Sequence, residues 1–384
     1  MARGPFSSRV PLSLEPGPWA RRLAALRAQG RPLIDLTDHN PTTASLDYLS
    51  ELPSLDAGGP YEPDPAGLLV AREAVSAYYR DRRIHVDPDS VVLTASTSEA
   101  YAHAFRLLCD PGDTVLVPRP SYPLFEALAP AEGCVVDSYA SVDALPEGAR
   151  AIVAVNPNHP TGLFLTRGEA ATLLKTCAQR DMTLIVDEVF ADFPWPGGRP
   201  ASELCGSLLR EAVPGRTRQP LKLVFSGLSK VCGLPHLKLG WIVVEGEPVE
   251  RDAALERLAW LSDAFLSVSQ PVQQALPALL AGRSRFQGAV RARVARNRSE
   301  LSKAIEAAPG ATLLPADAGW SAVIVLPDGR TDEEWALALL EHDVIVHPGY
   351  FYGFDEPGRL VVSLLQPPRI FDQAIAALFA VALG

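Results

Sequence analysis

Between residues 91 and 245, short apolar runs alternate with stretches of helical period, and this alternation constrains the fold more than any other feature. The runs fall at 91–94, 114–118, 134–138, 151–155, 183–187, 222–225 and 241–244. Helical periods occupy 97–109, 122–131 and 167–180. Strands this short and this apolar are covered on both faces, which is the habit of parallel sheets with helices above and below. The expected class is α/β: a three-layer α/β/α large domain on a mostly parallel, mixed sheet, spanning 46–285. Near the C-terminus the style changes, with strands near 321–326, 344–347 and 360–365 and helices at 332–341 and 369–382. Joined to a helix at 18–29 and an extended piece at 33–36, they predict a smaller α+β domain made from both termini, 1–45 plus 286–384. Helical pattern also fills 66–82, and 250–308 reads as helices broken near Pro271 and Pro277.

Composition removes several function classes. Apolar residues at 47% and charged residues at 21% describe a globular chain rather than a disordered one or a coiled coil. A net charge of −10 without a long basic stripe argues against nucleic acid. No apolar run is long enough to span a membrane, and the N-terminus lacks the apolar segment of a signal peptide. Five cysteines, odd in number and without CxxC spacing, read as reduced thiols of a cytoplasmic protein, not as a disulfide frame or metal site.

The chain holds only five lysines against thirty arginines. One of the five, Lys230, lies in the loop Phe225-Ser226-Gly227-Leu228-Ser229-Lys230. A guanidinium stays protonated, whereas an amine of lowered pKa can attack a carbonyl. Taken alone, Lys230 reads equally well as a surface lysine. Four other segments sit where predicted strands end, the edge at which open parallel sheets bind ligands. Thr94-Ala95-Ser96-Thr97-Ser98-Glu99 fits a capping box, so a helix starts at Thr97 with free N–H groups suited to a phosphate. Pro118-Arg119-Pro120-Ser121-Tyr122-Pro123 pins a tyrosine whose ring could face a flat ligand. Asn156-Pro157-Asn158-His159-Pro160-Thr161-Gly162 spells a rigid turn. Asp187-Glu188 closes a buried strand, so its carboxylates need partners, and adjacent strand residues point to opposite faces. Each segment also has a purely structural reading, as cap, loop tyrosine, turn or salt bridge.

In this order, the four segments and the lysine loop resemble the fold-type I pyridoxal-phosphate enzymes, in particular the class I/II aminotransferases (aspartate, alanine and tyrosine aminotransferase-like), over about residues 33–365. The resemblance implies pyridoxal 5'-phosphate joined to Lys230 as an internal aldimine, with the same amine later carrying a proton. It implies Asp187 at the pyridine nitrogen, Tyr122 stacked on the ring, and Thr97, Ser98, Ser229 and Lys238 around the phosphate. Tyr61, in Tyr61-x5-Gly67-x4-Arg72, would cross to the neighbouring subunit's phosphate in a homodimer with shared active sites. The implied reaction is ping-pong transfer of an amino group between an amino acid and a 2-oxo acid.

Several positions depart from the family pattern. His159 stands where the family places asparagine against the cofactor's phenolic oxygen, and Phe190 where it places a donating tyrosine. Fewer donors predict a cofactor imine that keeps its proton to higher pH, unless His159 replaces one. Lys238 replaces a family arginine, and Gly227 a hydroxyl residue for which Ser226 or a backbone N–H could compensate. Arg359 lies two residues before the usual carboxylate-gripping arginine of Arg-x-Ser, a shift of roughly 6 to 7 Å along a strand. Either Arg359 adjusts, another cation serves, or the substrate lacks that carboxylate. His39 sits where the family often has glycine near the substrate, and His347 in a Pro-Gly loop at the site mouth. Phe193, Trp195, Tyr350, Phe351 and Tyr352 could line an apolar or aromatic substrate pocket, or be core or dimer contacts. Two other readings share the resemblance: a different reaction on the same cofactor (carbon–sulfur β-lyase, decarboxylase or cyclase), and the effector domain of a transcription regulator. The latter needs a DNA-binding domain for which the thirty or so leading residues leave little room.

Overall fold

The computed structural model describes residue 7 and residues 9–10, 15–55, 60–215, 218–327 and 329–383. Residues 1–6, 8 and 11–14, part of the segment 1–45 and of the expected non-signal N-terminus, lie outside them. Seven strands form the main sheet in the spatial order Val91–Thr94, Gly240–Glu245, Lys222–Gly227, Thr183–Asp187, Ala151–Val155, Thr114–Pro118, Val135–Tyr139. Gly240–Glu245 runs against both neighbours, and every other pairing is parallel. All strands but that one therefore end at the same edge. This is the α/β architecture that the alternation predicts.

Side chains leave each strand alternately up and down, so the sheet separates two cores. Leu184 and Val186 enter one and Ile185 the other; Val224 and Leu223 divide the same way. Helices Thr97–Leu108 and Pro248–Asp263 cover one face with Tyr101, Phe105 and Leu258. Leu69–Asp81, Arg167–Arg180 and Gln270–Ala281 supply Val75, Leu173 and Leu276 to the other. Arg167–Arg180 starts with a full capping box between Thr166 and Glu169.

A second, antiparallel sheet has the order His347–Pro348, Arg359–Ser363, Ser321–Val325, Thr312–Leu313. Ile34–Asp35 pairs in parallel with Val344–Ile345, so the two ends of the chain meet here. Trp320, Ile324 and Leu364 belong to the same buried cluster as Val224 and Leu276, and the core is continuous between the two sheets.

The expected break at Pro277 does not occur. Pro271 occupies the first turn of Gln270–Ala281, where an N–H has no helical partner, and Pro277 lies inside that helix. An interior proline costs about 3 kcal/mol. The same helix buries Val272, Leu276, Leu279 and Leu280, each contributing about 1.5–3 kcal/mol. Burial wins, and the helix runs on to Gly282.

Asn297, fully buried in Arg283–Glu306, donates through Nδ2 to Leu364 O (2.9 Å) and Gln366 O (2.8 Å). Asn297→Ala strips both carbonyls of this donor and is expected to destabilise by about 2 kcal/mol. A urea midpoint equal to that of the parent would show that the bridge contributes nothing.

Candidate active site

At the shared carboxyl edge the loops enclose a cavity of about 260 Å³. Its wall includes Thr97, Tyr122, His159, Asp187, Ser229 and Lys230, with His39, Val155, Val189, Phe190, Gly227, Leu239 and Gly240. Most of the residues singled out from sequence thus converge from six separate stretches of chain, around residues 39, 97, 122, 159, 187–190 and 227–230.

Lys230 lies on the short helix Leu228–Val231 that follows the Lys222–Gly227 strand. Among the described residues its Nζ makes no hydrogen bond or ion pair. It lies 4.9 Å from the Trp320 ring centroid and 5.4 Å from that of Phe190. Burial pushes its pKa down to about 8, against the pull of Asp187 and Asp38. Asp187 ends its strand facing the same cavity. It accepts from Tyr101 Oη (3.1 Å) and from Val189 N (3.0 Å). Burial pushes its pKa up to about 6; the two hydrogen bonds and Lys230 oppose that rise. Glu188 points to the opposite face, where Ser207 Oγ and Leu208 N donate to it.

The turn 156–162 is braced rather than open. Asn156 is buried and turned away, donating to Cys205 O (2.9 Å) and accepting from Leu165 N (2.9 Å). Asn158 Nδ2 donates to Ser121 Oγ (3.2 Å), tying this turn to the loop that carries Tyr122. Gly162 has φ +71°, and a Cβ there would lie 2.3 Å from Ala318 O. Within this frame the His159 ring stacks on Phe190 (centroids 5.5 Å, 27°) and meets His39 edge-on at 5.5 Å. Among the described residues neither of its nitrogens is hydrogen-bonded. Burial, then His39 and Lys230, hold its pKa well below the ordinary range, so the ring is neutral. His39 is neutral too: Nδ1 donates to Thr37 O and Nε2 accepts from Ser321 Oγ, both at 2.8 Å, and burial takes its pKa to about 4.

Two glycines let the strands and the helix start crowd together. A Cβ on Gly227 would stand 2.9 Å from Gly240 Cα, and one on Gly240 would stand 3.2 Å from the Ser96 carbonyl carbon. No hydroxyl residue fits at 227 for that reason. Ser226 does not take its place, because its buried Oγ lies outside the cavity wall and has no hydrogen-bond partner among the described residues. Thr97 presents the first turn of its helix to the cavity, while Ser98 is not part of the wall. The capping box here is half made: Ser96 Oγ accepts from Glu99 N, but the Glu99 carboxylate takes Ala95 N (2.6 Å) instead of Ser96 N.

Other singled-out residues lie elsewhere. Lys238 is exposed, with left-handed backbone (φ +53°), outside the wall. Tyr61 is 70% exposed and also outside it. The Arg359 guanidinium pairs with Glu356 (3.3 Å) and donates to Pro357 O, away from the cavity. Two residues on, Val361 is buried with Val323, Tyr352 and Phe354. His347 Nδ1 lies 2.9 Å from Tyr352 Oη. Phe193 and Trp195 line a separate surface pocket, whereas Tyr350, Phe351 and Tyr352 line a groove beside Tyr122. Sequence reasoning missed Tyr101, Ser321 and Trp320. Tyr101 was findable, four residues after Thr97 on one helix face; the other two join the site only through tertiary packing.

The depressed Lys230 amine makes a measurable prediction. Reductive methylation of Lys230, followed on its peptide by mass spectrometry, is expected to rise through about pH 8. Asp187 stabilises the ammonium, so Asp187→Asn should move that midpoint to lower pH; an upward shift or none would contradict the assigned cause.

Residues 61–377 match the family model for aminotransferase class I and II. The chain is 31% identical to the 4-dedimethylamino-4-oxo-anhydrotetracycline transaminase OxyQ of Streptomyces rimosus, covering 91% of this chain and 94% of that one. It is 23% identical to the glutamate-pyruvate aminotransferase AlaA of Haemophilus influenzae, over 94% and 93% of the two chains. Among solved structures, an Escherichia coli aminotransferase superposes with a TM-score of 0.84 at 21% identity, covering 100% of this chain and 99% of that one. The alanine aminotransferase of Pyrococcus furiosus gives 0.83 at 23%, with 98% of each chain covered. The structures establish the fold and the family model the lineage: this chain belongs to the class I and II aminotransferases.

Proposed function

We infer that the chain is a pyridoxal 5'-phosphate enzyme moving an amino group between an amino acid and a 2-oxo acid, one substrate leaving before the other enters. The observation that carries this reading is a buried amine, Lys230, with no hydrogen-bond or ion-pair partner among the described residues, sharing one cavity with a buried carboxylate, Asp187. When bound, the cofactor supplies an aldehyde for the amino group and a ring that withdraws electrons from the amino carbon.

The residues present fit that group. Tyr122 offers a ring face, Asp187 an acceptor for a protonated ring nitrogen, and Thr97 with Ser229 an anion-binding helix start narrowed by Gly227 and Gly240. Ser98 and Lys238 are assigned to the phosphate from outside the wall. His159, neutral and with free nitrogens, is the side chain able to donate to the phenolic oxygen in place of asparagine and tyrosine. Lys230 Nζ carries the covalent link and afterwards holds and moves the proton. Near pH 8 its two protonation states are comparably populated, which suits both tasks. Asp187, ionised above about pH 6, holds a positive charge beside it.

The same reading makes 46–285 the cofactor-binding unit and 1–45 plus 286–384 the smaller one. It also makes the enzyme a homodimer. Tyr61 is exposed, as are Leu69, Val70, Trp260 and Phe265, and these side chains suit burial against a second copy. Unpaired cysteines fit a reducing compartment such as the cytoplasm.

Two measurements test this. Borohydride reduction of the cofactor-soaked protein should fix one label on the Lys230 peptide, and Phe190→Tyr should lower the pH at which the bound cofactor changes colour. Label on another peptide ends the reading. Separately, Tyr61→Ala and Lys230→Ala proteins, each nearly inactive, should regain activity when mixed and re-formed, because a mixed dimer contains one intact site. No recovery would exclude sharing of sites between subunits.

A further inference from the structure

The cavity around Lys230 is poor in positive charge. Among the described residues lining it, Lys230 is the one cation. A substrate with a carboxylate on its amino carbon would bring a full negative charge into this space. Leaving water costs several kcal/mol unless a cation with hydrogen bonds receives the charge. The nearby guanidiniums are committed. Arg359 is held by Glu356 and Pro357 O, Arg119 by Gly353 O and Asp355, and Arg199 by Asp317. The strand position facing inward between Val323 and Tyr352 carries Val361. His39 spends both ring nitrogens on Thr37 and Ser321.

The space next to the cavity is large, with an aromatic side and with Arg119, Glu126 and Asp137 also on its wall. A groove of about 810 Å³ shares the Tyr122 wall and is flanked by Phe125, Tyr350, Phe351 and Tyr352. Tyr352 meets the His159 ring edge-on at 5.5 Å, and its hydroxyl is fixed by His347. Cavity and groove meet at Tyr122, the one described lining residue they share, and Tyr352 of the groove touches the His159 ring of the cavity. The groove lies within the roughly 300–1,000 Å³ of sites that bury drug-sized ligands, far more than an amino-acid side chain fills. Its aromatic side, with Tyr122, Tyr350 and Phe351, offers ring faces and edges, the surfaces that hold flat aromatic bodies.

We propose that one of the two substrates is a bulky, flat, aromatic ketone and its amine, with no carboxylate on the reacting carbon, whose rings lie in this groove. The inference rests on the transaminase reading of the Lys230 site. In the net exchange the ketone carbon gives up its oxygen and gains the donor's amino nitrogen and hydrogen. It is reduced by the two electrons that oxidise the donor's amino carbon, so no other oxidant or reductant enters.

The test compares 1-aminotetralin, a bicyclic aromatic amine without a carboxylate, with L-alanine, L-glutamate and L-phenylalanine on the cofactor-loaded protein. Single-turnover loss of the cofactor's aldehyde absorbance gives kcat/KM for each, and calorimetric titration with 1-tetralone gives binding without turnover. The bicyclic amine is expected to exceed every amino acid by about 100-fold, a difference of about 2.7 kcal/mol. Tyr352→Ala should cut that ratio about tenfold and weaken 1-tetralone binding, and Val361→Arg should shift the ratio toward the amino acids. Should Val361→Arg fail to fold, the comparison on the parent protein decides alone. Amino acids reacting faster than 1-aminotetralin would overturn the substrate class and leave the transaminase intact. Cofactor on Lys230 that neither class converts would overturn both.

Discussion

An ammonium held out of water without a contacting counter-ion is the tension around which this molecule is arranged. Desolvation moves the Lys230 amine from its usual 10.5 to about 8, a cost of about 3 kcal/mol to the charged form. Asp187 repays part of it through space and not by contact, so the amine remains free to react. The sheet makes this affordable. Asp187 ends one parallel strand and Lys230 lies on the short helix that follows its paired neighbour, and the close approaches of Gly227 to Gly240 and of Gly240 to Ser96 hold the lysine loop against the helix start at Thr97.

The walls that depress the lysine are largely apolar or uncharged. Phe190, Trp320 and two neutral histidines surround the amine with groups of low polarity. Each favours the neutral amine.

The strands from 91 to 245 were legible because each is short, apolar and bounded by turn residues, and their order in sequence fixes which edge their ends share. Lys230 and Asp187 were legible for the same reason: chemistry at a strand's carboxyl end is written locally. Pro277 misled because a propensity rule cannot weigh one lost hydrogen bond against four buried side chains. The capping box misled by one residue, since Ser267, distant in sequence, also donates to the Glu99 carboxylate. Gly227 looked like a lost hydroxyl until its contact with Gly240 was visible.

By itself the sequence determined the α/β class, the position of the reactive edge and the two ionisable groups on it, because these follow from hydrophobic period and from residue types that no other residue can replace. Only the tertiary structure decided that Arg359 pairs with Glu356 while Val361, two residues on along the same strand face, packs with Val323, Tyr352 and Phe354, that His39 is silenced by Ser321, and that Trp320 and Tyr101 adjoin the cavity. Those outcomes depend on side-chain direction and on contacts across as many as 282 residues of chain, and a one-dimensional pattern carries no information about desolvation at such meeting points.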